Sequence, residues 1–427
     1  MNMYKTIVDD PFPDSLVVQF NRFVWDPGQE KLVVSPTEMR LAKTKWNVAG
    51  ESKGLRYGEN PGQPAALYHP AENNIQLDGI NLVQDGALAS RAKLLQSGKH
   101  PGKTNITDVD NAINILRYFD EPTCSIMKHN NPCGVAIADN TLNAYIKANN
   151  SDRVAAFGGA IVFNKAVDKE TAEAIIQNYS EVVSAPEFEE GVMDIFSKRK
   201  NLRVMQVPGD YSEYRGVQTL EFKTLMDGGI IVQASYVPNA TTLDDFRQLP
   251  LGYGKKDGIE YRIQREPTES ELKDMRFGWL VESGVTSNSV IYVKDGQTIG
   301  IGTGEQDRVG VAQIAKDKAY TKTADLACFN ETGKSYNEML ERAYDGDDQA
   351  EEILEGIDKQ VARQGLEGVV MVSDAFFPKP DGVLVGLRDG VGAVIQPGGS
   401  IADADVVNAC NDYDATMLYT EQRSFKH

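Results

Sequence analysis

SIMKHNNPCGVAIA, residues 125–138, divides into an apolar run, a polar turn and a second apolar run. Short runs rich in Val, Ile and Ala, bounded by turn residues, fit buried strands. Pro132 and Gly134 fix the turn between them. The same order returns at SVIYVKDGQTIGIG, residues 289–302. Two further apolar runs follow each copy. VAAFGGAIVF (154–163) is answered by GVVMVSDAFF (368–377), and VVSAPEF (182–188) by AVIQPGGS (393–400). Three pairs in one order at comparable spacing predict an α/β chain of two similar halves, an internal duplication joined near residues 205–225. Amphipathic stretches between the runs predict helices. Asp108 before Val109, Ala112, Ile113 and Leu116 reads as a helix start, and Thr268 with Glu271 as a capping box before Leu272, Met275 and Trp279. The division expected is a polar, extended lead-in at 1–50, a first half at 51–210 and a second at 211–427.

The 427 residues suffice for a large core. A formal net charge of −18 argues against non-specific binding to nucleic acid or an anionic membrane, since both need a basic face. Cys124, Cys133, Cys328 and Cys410 are scattered with no C-x-x-C pair, so neither a disulfide framework nor a thiolate zinc site is expected. There is no apolar leader at the N-terminus and no run of about 18 apolar residues. A cytoplasmic protein is the expectation, with no membrane or nucleic-acid partner.

The chain has four histidines, His69, His100, His129 and His427, so each position carries information. Lys128 and His129 stand where the first apolar run ends. Open α/β sheets bind ligands at the carboxyl ends of strands. Histidine near its free pKa of about 6.5 can take a proton at neutral pH, and a neighbouring ammonium can stabilise an oxyanion. LRYGENP, residues 55–61, offers Arg56 beside Tyr57 in a turn, where the guanidinium could grip a phosphate. The last five residues, RSFKH, could dock Arg423 and His427 into a site or fray. GIGTG (300–304) has the wrong spacing for a dinucleotide fingerprint and reads as a strand-end turn needing close backbone approach.

Eight motifs in one order carry a resemblance: LRYGENPGQ (55–63), KHNNPCG (128–134), AFGGAIVFN (156–164), SNSV (287–290), IGIGTGEQDRV (299–309), SDAFFP (373–378), QPGGS (396–400) and the terminal RSFKH. Together they resemble the AICAR transformylase part of the bifunctional AICAR transformylase/IMP cyclohydrolase family, from about residue 55 to 427. The resemblance implies two tandem cytidine-deaminase-like α/β subdomains and a homodimer with shared active sites. It implies transfer of a formyl group from the co-substrate 10-formyltetrahydrofolate to the 5-amino group of aminoimidazole carboxamide ribonucleotide (AICAR), a step of purine synthesis. It casts Lys128 and His129 as the catalytic pair, with Asn288 near the reacting groups. Arg56, next to Tyr57, and Arg423 become phosphate ligands. Asn105, Gly158 and Glu181 line the nucleotide, and Phe376, Phe377, Asp381 and His427 surround folate and imidazole. It also allows a monovalent cation (K+) near the site and no other metal.

Two departures stand out. Where many relatives carry a third aromatic that can stack on the pterin, this chain has Lys379. The N-terminal cyclohydrolase domain has no counterpart here, so formylation without ring closure to IMP is expected. A zinc deaminase reading fails on the residues. Asn131 stands where H-x-E needs Glu, and the second cysteine of P-C-x-x-C is missing after Cys133. A non-catalytic binder of AICAR or folate is the other alternative.

Overall fold

A computed structural model describes residues 10–48, 50–72, 75–83 and 86–427. The lead-in is extended but paired: β1 (Ser15–Asp26) and β2 (Lys31–Lys43) form a long antiparallel hairpin. The apolar runs then build one eleven-stranded mixed sheet. Its first-half strands are β3 (Lys93–Gln96), β4 (Thr123–Lys128), β5 (Asn131–Ile137), β6 (Ala160–Phe163), β7 (Val182–Ala185) and β8 (Arg203–Gln206). Its second-half strands are β9 (Val290–Lys294), β10 (Gln297–Gly302), β11 (Val370–Ser373), β12 (Ala393–Gln396) and β13 (Thr416–Tyr419).

The spatial order is β13-β12-β11-β9-β10-β5-β4-β6-β7-β8-β3. Outward from the central β5–β10 contact, each side repeats one scheme. An antiparallel hairpin comes first, then one antiparallel neighbour, then two parallel additions; on the first side alone, β3 adds a further antiparallel edge strand. Side chains alternate between the faces. Cys124, Ile126, Ile161 and Phe163 enter one core cluster, while Met127, Ala160 and Val162 enter the other. That alternation with burial on both sides is why these strands read as unbroken apolar runs.

The helices that frame the site are α1 (Lys103–Leu116), α2 (Thr141–Ser151), α3 (Glu269–Glu282), α4 (Arg308–Thr332), α5 (Tyr336–Tyr344), α6 (Asp348–Gln364) and α7 (Pro380–Leu387). The Thr268/Glu271 capping box is present. The start expected at Asp108 is not. Gly102 caps α1, and Asp108 lies inside it, buried. Residues 154–163 are strand only at β6, because a helical turn (Arg153–Ala156) comes first. Gly300 and Gly302 lie within β10 rather than in a turn. A Cβ on either would sit 2.2 Å from Ala315 O or 2.3 Å from Val311 O, so the expected close approach is to α4. Among the described residues, no helix is long and apolar enough to cross a membrane.

Candidate functional site

Lys128 ends β4, Asn131 opens β5, and the two are direct register partners. Only His129 and Asn130 remain for the turn, and both have positive φ, 57° and 63°. A two-residue hairpin loop with both residues left-handed has the character of a type I′ turn, whose twist suits the flanking strands. Asn and His are among the few side chains found there, at a cost of about 1–2 kcal/mol each. Surrounding contacts hold the turn in place. Asp108 Oδ1 accepts Asn130 N at 2.6 Å. Asn111 Nδ2 and Lys426 Nζ donate to Asn130 O at 2.9 and 3.1 Å. Asn131 Oδ1 accepts Thr286 N at 2.8 Å and Thr303 Oγ1 at 3.1 Å. Burial pushes the Asp108 carboxyl up, and the Asn130 amide draws it back.

The second half has the same device without the chemistry. Asp295 and Gly296, at φ 52° and 66°, close β9–β10. Asp274 of α3 accepts their amides at 2.9 and 2.8 Å.

Lys128 Nζ donates to Phe157 O at 2.9 Å, just before Gly158 with its φ of 79°. Lys128 and His129 line a pocket of about 270 Å³ with Asp152, Lys318 and Lys322. Cys133 shares it, but burial pushes its thiol up to about 12. A thiol held protonated is no nucleophile.

One turn back along α1, Asn105 Nδ2 donates to Glu181 Oε2 at 3.0 Å. Arg203, buried, reaches the same carboxylate at 3.5 Å and Lys99 O at 3.0 Å. Arg56 is buried too. Its guanidinium lies 4.4 Å over the Tyr57 ring and bonds the Tyr57 hydroxyl, yet its Nε has no partner. Arg56 N donates to Pro101 O and Lys103 N to Tyr57 O, so this pair is strapped to the N-terminus of α1. An orphaned guanidinium N–H beside a helix N-terminus is arranged for an anion.

Asn288 is held from behind. Arg308 donates to its Oδ1 at 3.2 Å, and its Nδ2 donates to Gln306 O at 3.1 Å. Arg308 also forms a buried ion pair with Asp374. The terminal tail docks instead of fraying. Ser424 N donates to Asp374 O, Ser287 N to Lys426 O, and Lys426 N to Ser287 Oγ. His427 is exposed, its ring 5.6 Å from that of Phe425. Arg423 stacks on Phe425 and lines a second pocket, of about 490 Å³, with Phe376, Tyr253 and Gly398. Phe377, the next residue, is fully buried. Asp381 is exposed in the first turn of α7, accepting Gly382 N.

One chain therefore gathers Arg56, Tyr57, Asn105, Gly158, Glu181, Lys128 and His129 along α1 and the strand ends. Asn288 and the tail adjoin the His129 turn, whereas Phe376 and Arg423 line a different pocket. Asn111, Arg203, Arg308 and Lys426 were not legible as site residues in the sequence, and Asp108 read only as a helix start. Asn105, Asp108 and Asn111 recur three apart along α1 and are all buried, but Lys103, Thr104, Thr107, Asp110 and Asn114 share the helix, so the stripe does not stand out in the sequence. Arg203 sits in a strand and left no signal either.

These features define a mixed-sheet α/β protein with a polar, partly basic site at strand ends. The profile of the AICARFT/IMPCHase bienzyme matches residues 28–318, and the chain belongs to that family. It is similar to the bifunctional purine biosynthesis protein PurH of Magnetococcus marinus, 35% identical over 88% of this chain and 59% of the relative. PurH of Thermoanaerobacter sp. is 34% identical over the same shares. PurH of Oceanobacillus iheyensis is 32% identical over 92% of this chain and 63% of the relative. The chain thus spans about three-fifths of the length of these relatives.

Proposed function

We propose that this chain acts in purine biosynthesis as a formyltransferase, passing the formyl group of 10-formyltetrahydrofolate to the 5-amino group of AICAR. The observation that carries the reading is Lys128 and His129 on a rigid turn, one helix face away from a buried, half-satisfied Arg56. The 5-amino lone pair is delocalised into the ring and carboxamide, so the amine needs help. His129 takes the amine proton as nitrogen attacks the formyl carbon, a role worth roughly 10²–10⁴-fold. Lys128 and Asn288 stabilise the tetrahedral oxyanion and the departing N10, which leaves as tetrahydrofolate with a proton. Arg56 and Tyr57, with the N-terminus of α1, take the ribotide phosphate, while Asn105, Glu181 and Gly158 frame the nucleotide. Phe376, Phe377, Asp381 and His427 surround the folate and imidazole, and Arg423 is a further ligand of the ribotide phosphate.

Further parts of the proposal follow from the same resemblance. The two halves are tandem cytidine-deaminase-like units, divided near residue 210. The repeated strand scheme and the Asp108/Asp274 pair of turn caps support that. The active form is a homodimer in which a partner completes each site, which suits the separation of the Arg423 pocket from Arg56. Light scattering would distinguish it from the 46.9 kDa monomer. The monovalent cation is given no place and no step. Among the described residues, no group of three or more His, Cys, Asp and Glu side chains is gathered for a metal.

The test is incubation with AICAR and 10-formyltetrahydrofolate, following tetrahydrofolate and nucleotide products. Formyl-AICAR should accumulate without IMP, and Lys128→Ala and His129→Ala should each lose at least about 100-fold in kcat. AICAR binding with no turnover would favour the non-catalytic reading, with Lys379 the first departure to explain.

A further inference from the structure

Lys426 is the one residue of the docked tail whose side chain reaches into the frame of the His129 turn. Its Nζ donates to Asn130 O and to Gly284 O, each at 3.1 Å. Asn111 Nδ2 donates to the same two carbonyls at 2.9 and 2.8 Å. A carbonyl oxygen has two lone pairs, so these two donors saturate both oxygens. Asn130 belongs to the turn that presents His129, in the first half. Gly284 leads from α3 into the loop that presents Asn288, in the second. Lys426 O accepts Ser287 N and Lys426 N donates to Ser287 Oγ, which sets the Lys426 backbone beside the residue that precedes Asn288. The fit leaves no slack: a Cβ on Gly284 would lie 2.4 Å from Ile115 of α1.

We propose that Lys426 is a positioning residue for formyl transfer, clamping Asn130 O to Gly284 O together with Asn111 and so fixing the His129 turn against the Asn288 loop. This rests on the formyltransferase reading above. A neutral amide alone would hold the two carbonyls, but an ammonium draws both oxygens inward and ties them to the chain terminus. Burial pulls the Lys426 ammonium down to about 8, while Asp110 and Asp108 hold it up. A tail anchor and a clamp on reacting groups differ in what they change. Losing an anchor weakens ligand binding and folding. Losing the clamp misplaces a base already bound next to its substrate, and sub-ångström misplacement is read in kcat.

The experiment compares the full chain with Lys426→Met and Lys426→Arg. Lys426→Met should lose about tenfold or more in kcat, with the KM for AICAR within about threefold. Lys426→Arg, which keeps charge and several donors, should recover most of the loss. A kcat for Lys426→Met within about twofold of native, or no recovery by Lys426→Arg, overturns the proposal. Should Lys426→Met fail to fold, Lys426→Gln carries the same comparison. A readout independent of turnover is the ring proton resonance of His129, assignable among four histidines with His129→Gln. It should shift in Lys426→Met and return in Lys426→Arg. If the native chain formylates nothing, the formyltransferase reading fails, and the resonance alone then judges the clamp: an unmoved signal sinks it.

Discussion

Glu282 ends α3 fully buried, with Oε1 accepting Ser289 Oγ at 2.6 Å and Oε2 without a partner. Burial first, and then the charge of Asp374, pushes its carboxyl well above the ordinary 4.5. The folded chain therefore keeps this proton at pH values where the unfolded chain has released it. The stabilising contribution is complete below 4.5 and is lost as pH rises through the raised folded value. Glu282→Gln removes the ionisation and keeps the shape. Thermal melts from pH 5 to 9 should show the advantage of Glu282→Gln over native growing with pH, and parallel curves would refute the argument. Glu282 could not be picked out in the sequence, where it is one more acidic residue at a helix end. His129 could, because histidine is scarce here and this one follows a strand. Asp108 was visible but misjudged. An aspartate before an apolar run is also what a helix cap looks like, and only the turn packed against α1 shows which amide it serves.

The elements obey their local patterns where packing agrees with them. The capping box at Thr268 and the apolar strands were readable because both depend on neighbours in sequence. The β1–β2 hairpin was not, since its strands carry short apolar stretches such as 16–18 and 32–34 without the alternation that marks a half-buried sheet, and Pro36 stands within β2. Glycine shows the same limit: its meaning lies in what faces it. In β10, Gly302 meets the carbonyl of Val311, whereas Gly356 in α6 faces open space. Gly302→Ala should therefore cost about 1–3 kcal/mol through a backbone clash. Gly356→Ala should gain about 0.5–1 kcal/mol from helix propensity. Urea unfolding midpoints check both, and a Gly302→Ala chain as stable as native would mean that α4 moves aside freely.

At the scale of the whole molecule, the repeated order of apolar runs was legible, and strands β4–β8 and β9–β13 follow it, but the way the two sets join was not. Residues 423–427 left docking and fraying both open, terminal segments being ordinarily frayed, and did not show where on the sheet they would return. Here Ser424 hydrogen-bonds Asp374 of the β11 loop, and Lys426 pairs with Ser287 and reaches the His129 turn. The tail adds little to the core, since Ser424 is its only buried residue. Removing residues 423–427 should therefore leave the fold standing, with unchanged far-UV circular dichroism and a melting temperature lower by a few degrees, as expected for a loss of about 1 kcal/mol. Formyl transfer, which would lose Arg423, Lys426 and His427 together, should fall by more than about 100-fold, a loss of roughly 3 kcal/mol in transition-state stabilisation. A truncated chain that keeps its turnover would show that the docked tail closes the structure and nothing more. A truncated chain that unfolds outright would show that the sheet depends on its last five residues, so that the site and the fold cannot be separated at this end.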